Sequence, residues 1–406
     1  MAKKHFFRWL VLFSLLLAVC LIPLSGVSAA EKKEIRVGAI NSMTGYNVMT
    51  GSDQKWAYEQ AVADINKKGG VYVKELGKKL PIKLIFADDK SMPADGAAAM
   101  ETLIKLQKID LALSSNITPI NIAAGTVCEK YKVFFSIACS WLDQIEEQNF
   151  KWVSDFFFST VSASRSAFDV WELQPQAERP QRTWLMMEDN PDGQGFAAGF
   201  KAHAKNMGYN IAVDEAYMPG TKDFSSSILK AKAKNCDALL WLGFPTDSIT
   251  LIRQIKQNQL NLKYMHGWKG FWPGEFYQAL GKDADYIIHD GFWAETLPYP
   301  GAEEIGQRYR DDHEGRDSVS IGLYYSNPWV LAQAIEKAGS IDSAKVRDVF
   351  FSGKFIAKGT PMGDLKFNKK GLCLTPCLAL QWWEGKRLPV LPKVYELKWM
   401  PPWDQR

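Results

Sequence analysis

The sequence predicts an α/β fold of two lobes, each built on a doubly wound parallel sheet. Short apolar runs alternate with helical patterns over residues 35–137, and the same alternation restarts at residue 183. Repeated alternation of this kind is typical of parallel sheets whose two faces are covered by helices. The length agrees with two lobes, because 406 residues exceed what one hydrophobic core ordinarily holds.

Residues 1–30 predict a secretory signal peptide that is absent from the mature chain. Three basic residues precede an apolar run over residues 9–24, and small residues follow up to Ala29 and Ala30. The run is shorter than the roughly 20 residues that span a bilayer, and a cleavage site follows it directly. We therefore expect cleavage near Ala29 or Ala30 and a periplasmic location.

In the first lobe, the apolar spacing predicts a regular series of strands and helices. The predicted strands are 35–40, 82–86, 109–113 and 133–137, and the predicted helices are 51–67, 94–106 and 120–131. The first helix ends where Gly69 and Gly70 supply a C-terminal stop signal. Each strand is thus followed by a helix, as a parallel sheet requires.

The second lobe repeats this series. The predicted strands are 183–187, 211–216 and 238–242, and the predicted helices are 195–207, 224–234 and 248–257. Later segments predict a long amphipathic helix at 319–338, a hairpin at 371–391 around Glu384 and Gly385, and an irregular tail. We expect these later segments to complete both lobes.

Composition and motifs exclude several functional classes. The chain carries a formal charge of +4, and its three leader cations leave the mature part nearly neutral, so we expect no nucleic-acid partner. The phosphate-loop, H-E-x-x-H and G-x-S-x-G patterns are absent from the sequence. The mature histidines stand alone and the five mature cysteines are odd in number, so we expect neither a metal site nor any other cofactor. An enzyme is therefore a weaker hypothesis for this sequence than a binding protein.

The order and spacing of several short segments resemble the leucine/isoleucine/valine-binding subclass of type I periplasmic binding proteins. The matching segments are 35–40, 43–45, 59–71, 84–89 with Pro93-Ala94, 157–160, 223–226 and 240–243. The resemblance implies two lobes joined by a three-crossover hinge, and hinge closure over a ligand is an established property of these proteins. It places the crossovers near 158–160, 289–291 and 361–364.

The same resemblance sets the expected domain boundaries. We expect a first lobe of residues 31–158 plus 290–362 and a second lobe of residues 159–289 plus 363–406. In parallel α/β sheets, ligands bind outside the carboxyl ends of the strands, where loops and helix N-termini gather. The ligand-binding residues are therefore expected in the loops that follow the predicted strands.

In the first lobe, the loop 114–119 opens a helix and is the one that grips the ligand carboxylate in the family. Here Ser115, Asn116 and Thr118 match that loop, and ordinary N-capping of the helix is the open alternative. The resemblance adds further residues from the neighbouring loops and from the long helix. These are Tyr46, Thr50, Cys139, Ser140, Trp141, Tyr324 and Tyr325.

In the second lobe, the sequence departs from the family pattern. Phe244 matches an aromatic contact, but Trp268 stands where amino-acid binders carry the acid that neutralises the ligand's ammonium. A tryptophan offers cation–π attraction but does not replace a carboxylate on a buried ammonium. Asp247 either compensates or caps its own helix. This departure keeps both aromatic or branched acids and branched-chain or aromatic amino acids open as ligands.

Two functions fit these expectations. In the first, the chain is a monomeric solute-binding subunit that passes a small carboxylate or amino acid to an ABC permease and ATPase complex. In the second, it is a sensor of amides or amino acids that acts through a partner receptor or regulator. A sensor would need such a partner or a retained membrane anchor, so the importer is the favoured hypothesis.

Overall fold

The computed structural model describes residues 32–406, and the signal-peptide prediction for residues 1–30 lies outside them. The chain divides into a unit Met1–Glu34 and a unit Ile35–Arg406, and every helix and strand below belongs to the second unit. Within residues 32–406, no helix combines the length and the apolar character needed to cross a membrane.

The elements alternate along the chain as the sequence predicts. The strands are β1 (Ile35–Asn41), β2 (Val71–Val73), β3 (Lys78–Leu80), β4 (Ile82–Asp88), β5 (Leu111–Leu113), β6 (Phe135–Ala138), β7 (Val153–Phe157), β8 (Thr183–Glu188), β9 (Ile211–Tyr217), β10 (Ala238–Gly243), β11 (Tyr264–Lys269), β12 (Ile288–Gly291), β13 (Ile356–Thr360), β14 (Gly363–Lys366), β15 (Leu372–Leu374), β16 (Leu378–Trp383) and β17 (Lys386–Leu391). The helices are α1 (Val48–Lys67), α2 (Pro93–Lys105), α3 (Thr118–Tyr131), α4 (Leu142–Glu147), α5 (Thr160–Glu172), α6 (Pro191–Met207), α7 (Ser225–Ala233), α8 (Pro245–Gln257), α9 (Gly274–Leu280), α10 (Ala302–Asp312), α11 (Ile321–Ala338) and α12 (Ser343–Phe351). Every element predicted before residue 258 is confirmed, with ends that move by a few residues.

The first lobe is built on a six-stranded sheet in the order β15-β7-β6-β5-β1-β4, with all strands parallel. Successive side chains of β1 enter different cores because strand side chains alternate between the two faces. Val37 and Ala39 pack in one cluster with residues of α1 and α11, whereas Ile40 packs in another with residues of α2 and α3. Helices therefore cover both faces.

The second lobe is built on a seven-stranded sheet in the order β17-β16-β12-β11-β10-β8-β9. Strands β8 to β12 are parallel, and the hairpin β16–β17 adds two antiparallel strands at one edge. Leu240 and Leu242 pack with Phe196 of α6, whereas Leu239 and Trp241 pack with residues of α7 and α8. The predicted α/β fold of two doubly wound parallel sheets is confirmed, with this antiparallel edge as an addition.

The third passage between the sheets differs from its predicted place. The chain leaves the first sheet after β7 and the second after β12, close to the expected crossovers at 158–160 and 289–291. The segment 363–374, expected in the second lobe, belongs to the first lobe. Its strand β15 pairs in parallel with β7 of the first sheet. Its strand β14 pairs with β13, which packs on α11. The crossing thus falls after Leu374, not at 361–364, and the hairpin is β16–β17 alone. A three-residue strand is too short for periodicity to reveal.

Candidate functional site

The candidate site is the cleft where loops from the carboxyl ends of the two sheets meet. Tyr46 follows β1 and Phe244 follows β10, and their ring centroids lie 4.3 Å apart. Trp141 follows β6, and its ring centroid lies 5.0 Å from that of Phe196 in α6. The two lobes are therefore closed on each other, and the loops form two opposed walls, called here the first-lobe wall and the second-lobe wall.

A buried carboxylate organises the first-lobe wall. Asp89, which follows β4, accepts hydrogen bonds from the Ser42 hydroxyl at 2.8 Å, from the Ser91 backbone N–H at 2.8 Å and from the Ser115 hydroxyl. Burial raises the pKa of Asp89, and these three donors oppose that shift. Ser115 is predicted to bind a ligand carboxylate. Its hydroxyl proton is, however, already donated to an acid of the protein.

Asn116 and Thr118 lie at the start of α3. Asn116 Oδ1 accepts from Asn47 Nδ2 at 2.8 Å, whereas Asn116 Nδ2 is buried without an acceptor among residues 32–406. Thr118 Oγ1 accepts from the Trp141 backbone N–H at 3.1 Å. The N-cap of α3 is Ile117, and no side chain caps that helix. The capping alternative is therefore wrong for these residues, while ligand contact stays a prediction.

Asn121 joins the loops that follow β5 and β6. Its Oδ1 accepts from the Ser115 backbone N–H, and its Nδ2 donates to the Ser115 carbonyl and to Ser140 Oγ, each at 2.9 Å. Cys139 adopts a positive φ of 73° and burial raises its pKa to about 12, so its thiol stays protonated. The predicted residues Cys139, Ser140 and Trp141 are thus brought beside Ser115 by Asn121, which sequence reasoning missed.

The second-lobe wall carries a charged triad of Lys269, Glu188 and Asp192. Lys269 ends β11 and its Nζ donates to Glu188 at the end of β8 and to Asp192 in the first turn of α6. The two acid side chains are 0% and 1% exposed, and that of Lys269 is 14% exposed. Burial raises the pKa of Glu188; Lys269 opposes the shift, and Asp192 adds to it.

Two atoms of the triad lack a partner. Glu188 Oε2 and Asp192 Oδ1 are buried without a hydrogen-bond donor in the described part of the chain. Lys269 Nζ lies 5.1 Å from the centroid of the Phe244 ring, which in turn contacts Tyr46 of the opposite wall. The triad therefore sits at the meeting point of the two walls.

Local sequence explains how α6 brings Asp192 to Glu188. Asn190 caps the helix by accepting from the Gly193 backbone N–H at 2.9 Å, and Pro191 occupies the first helical position. A Cβ at position 193 would lie 1.9 Å from the Glu188 carbonyl oxygen, so only glycine permits this close approach. Asp192 is thus fixed in the first turn of α6, beside Glu188.

Trp268 lies inside the second lobe, next to the wall. Its ring stacks on His266 at a centroid distance of 4.3 Å and packs against Phe196 and Phe200 at 4.9 Å each. The residue is fully buried. The structure therefore brings Lys269, and not the predicted Trp268, to the charged centre of the cleft.

The remaining first-lobe predictions fall in two places. Thr50 is buried in the first turn of α1, and Tyr46 lies between the walls, where burial raises its pKa to about 12 and Lys269 opposes the shift. Tyr324 is buried beside Cys139. Tyr325 instead donates to Asp64 at 2.6 Å and lines a separate cavity of about 750 Å³. Tyr325 is thus not brought to the other predicted residues.

Asp247, offered as a substitute acid or a helix cap, hydrogen-bonds to Tyr217 and Gly220 instead of capping α8. Its Oδ2 accepts from the Gly220 backbone N–H at 2.9 Å and from the Tyr217 hydroxyl at 3.3 Å. The N-cap of α8 is Phe244, which has no side-chain hydrogen bond to the helix. Asp247 therefore ties the loop after β9 to the start of α8.

A second set of contacts between the lobes lies away from these walls. Arg316, in the loop before α11, pairs with Glu275 of α9 and lies 3.4 Å from Asp53 Oδ1 of α1. Arg387 of β17 pairs with Asp317 in the same loop. These ion pairs join residues far apart in sequence, and no local pattern predicts them.

Comparison with known proteins agrees with this architecture. A sequence model of a family described as periplasmic binding protein matches residues 34–387. The Leu/Ile/Val-binding protein homolog 2 of Brucella abortus (strain 2308) is 23% identical over 92% of this chain and 97% of its own length. An amino acid binding protein of Pseudomonas aeruginosa is 23% identical over 97% of this chain and 100% of its own length. The resemblance seen in the sequence is confirmed.

Two solved structures show the same fold. The leucine-binding protein LivK of Thermotoga maritima MSB8 has a TM-score of 0.77 and 19% identity, covering 87% of this chain and 97% of that one. A solute-binding protein of an ABC transporter from Rhodopseudomonas palustris BisB5, in complex with 3,4-dihydroxybenzoic acid, has a TM-score of 0.74 and 17% identity, covering 88% and 95%. At these identities the likeness concerns the fold.

Proposed function

Because this chain belongs to the periplasmic binding protein family, whose members are solute-binding proteins rather than enzymes, we propose that it is the extracytoplasmic solute-binding subunit of an ABC importer. In this role it binds a small carboxylate or an amino acid in the cleft, closes over it, and delivers it to the permease and ATPase complex. The mature chain begins near Ala29 or Ala30 and acts in the periplasm as a monomer.

The observation that carries this proposal is the pair of polar walls at the cleft. Asn116 Nδ2 on the first-lobe wall and two carboxylate oxygens on the second-lobe wall are buried without partners among residues 32–406. A buried polar atom without a partner costs about 1–3 kcal/mol. A small polar solute held between the walls would supply these partners and so stabilise the closed arrangement.

The names of relatives support the two ligand classes that the sequence left open. Relatives named for leucine, isoleucine and valine, and for amino acids, favour an amino acid. The neighbour solved with a dihydroxybenzoic acid favours an aromatic acid as the second candidate. Both ligand classes therefore belong in the panel that tests the proposal.

A thermal-shift screen of the purified mature chain tests the proposal. The panel contains branched and aromatic amino acids beside the corresponding deaminated acids and benzoates. A ligand present at 100 times its dissociation constant stabilises the folded form by about 2.7 kcal/mol, which gives a clear rise in melting temperature. We expect at least one member to produce that rise. If no member shifts the melt, these ligand classes are ruled out.

A further inference from the structure

The charges around the cleft differ from those that a carboxylate ligand needs. Asp89, Glu188 and Asp192 are buried acids at the two walls, and Lys269 pairs with the two acids of the second-lobe wall. Lys269 already donates to two carboxylates. A ligand carboxylate beside Lys269 would therefore be a third acid around one ammonium group, in a region where low solvent access strengthens repulsion.

Two of the first-lobe hydroxyl groups that would suit a carboxylate are also engaged. Ser42 and Ser115 both donate to Asp89, so their protons are not available to a second carboxylate. The backbone N–H of Ser115 is taken by Asn121 Oδ1 at 2.9 Å. The first-lobe wall thus offers an anion at the place where the family resemblance implies an anion-binding loop.

The second-lobe wall instead offers acceptors. Glu188 Oε2 and Asp192 Oδ1 are buried oxygens without a donor in the described part of the chain. On the opposite wall, Asn116 Nδ2 is a buried donor without an acceptor. A group with several N–H donors would satisfy both oxygens, and a neutral oxygen such as a hydroxyl or an amide carbonyl would satisfy Asn116.

From this arrangement we propose that the cleft recognises a protonated amine of its ligand through Glu188 and Asp192, and that a carboxylate on the ligand is dispensable. This inference rests on the proposed solute-binding function. The favoured ligand class is a small apolar amine with a neutral acceptor, such as an amino-acid amide or an amino alcohol. With such a ligand, three acids face two cations, and the charge imbalance of the empty cleft is reduced.

Raised pKa values support this assignment. Burial raises the pKa values of Asp89 and Glu188, which means that their ionised forms lack sufficient counter-charge in the closed cleft. A bound ammonium group supplies that charge. Tyr46 and Phe244, whose rings meet between the walls, offer an apolar surface to the body of the ligand.

Matched ligands on one carbon skeleton provide the test. Calorimetric titration of the mature chain compares leucine, leucinamide, leucinol and 4-methylpentanoate, with the corresponding phenylalanine set beside them. We expect the amide or the amino alcohol to bind at least as tightly as the amino acid, and the amine-free acid to bind at least tenfold more weakly. Tighter binding of the amine-free acid overturns this inference but leaves the solute-binding proposal standing. If no compound of either set binds, this inference fails, and the solute-binding proposal is then decided by the benzoates of the thermal-shift panel.

Variants of the second-lobe wall make the test specific. Asp192→Asn keeps the Lys269–Glu188 pair. It is expected to weaken binding of the amide at least tenfold, because the ligand loses one charged hydrogen bond. Asp247→Asn is the matched control, because Asp247 is a buried acid of the same lobe that is bound to Gly220 and Tyr217. Equal affinity of the Asp192 variant and the wild type, with both folded by circular dichroism, would overturn the assignment.

Discussion

The two walls of the cleft solve the problem of buried charge in different ways. In the first lobe, a single carboxylate, Asp89, is surrounded by hydroxyl and backbone donors from three loops. In the second lobe, two carboxylates share one ammonium group, that of Lys269, and keep two oxygens without donors. The carboxylate of the first wall has its donors, whereas the carboxylates of the second wall keep two oxygens without donors. These oxygens, together with Asn116 Nδ2 on the first wall, are the buried atoms that a ligand would complete.

The largest expected effect comes from removing the cation of the second wall. Lys269→Met leaves Glu188 and Asp192 buried beside each other without a counter-charge, which costs about 3–5 kcal/mol of unfolding free energy. Chemical denaturation of the ligand-free protein at neutral pH measures this loss. Lys201→Met is the control, because its pair with Asp214 is about half exposed and contributes less than about 1 kcal/mol. A similarly small loss for both variants would contradict the importance of the triad.

The next effect is a pH dependence that belongs to Glu188. Burial raises the pKa of Glu188 from 4.5 to about 7, so within this window the folded form holds a proton that the unfolded form has released. The contribution of Glu188 to the free energy of unfolding therefore falls as pH rises from about 4.5 to about 7, by up to about 1.4 kcal/mol per pH unit. Denaturation of the wild type and of Glu188→Gln across this range measures the unfolding free energy of the wild type minus that of the variant, which is expected to fall as pH rises.

Other buried groups do not obscure that comparison. The pKa of His266 is lowered to about 3 by burial, and its contribution to stability is lost as pH falls below its ordinary value of 6.5. This effect has the opposite sign, but it is common to both proteins and cancels in the difference. The exposed Glu303→Gln serves as the control. A pH-independent difference for the Glu188 variant would contradict the predicted linkage.

A smaller effect is expected from the first wall. Ser115→Ala removes one of the donors to Asp89 and leaves a buried carboxylate oxygen without it, at a cost of about 1–3 kcal/mol. Thr126→Ala, an exposed hydroxyl of α3, is expected to change stability by less than about 0.5 kcal/mol. Differential scanning calorimetry compares the two. If Ser115→Ala abolishes ligand binding while stability is unchanged, Ser115 is a ligand contact rather than a structural donor to Asp89.

The smallest expected effect on binding concerns Trp268. Trp268→Phe leaves an aromatic ring between His266, Phe196 and Phe200, so we expect a stability loss of about 1–2 kcal/mol, less than that of complete truncation. Because Trp268 lies inside the lobe, ligand affinity is expected to change less than twofold in a calorimetric titration. A tenfold loss of affinity would return Trp268 to the place in the ligand site that the sequence predicted.

The difference between the walls also explains what the sequence could predict. The first wall follows strands whose apolar runs are easily recognised, so the sequence places Ser115 and Asn116 in the loop after β5, and their ligand contact stays a prediction. On the second wall, the sequence pattern indicated Trp268, whereas the structure places the adjacent Lys269 at the cleft. Successive side chains of a strand point to opposite faces, so an error of one position exchanges a charged cleft residue for a core aromatic.

The remaining features that the sequence did not predict depend on long-range contacts. The pairing of Arg316 with Glu275 joins loops and helices whose proximity depends on the closed arrangement of both lobes. Likewise, the three residues of β15 join the first sheet only because β7 offers a free edge. Neither has a local periodic signal, so only the assembled fold reveals them.

The most direct test of the account asks whether one ligand contacts both walls. Calorimetry with the tightest ligand of the matched sets compares the wild type with Asn116→Ala on the first wall and Asp192→Asn on the second. We predict that each variant stays folded and binds at least about tenfold more weakly, because each wall loses a hydrogen bond to the same ligand. Unchanged affinity in either folded variant would contradict a ligand held between the two lobes.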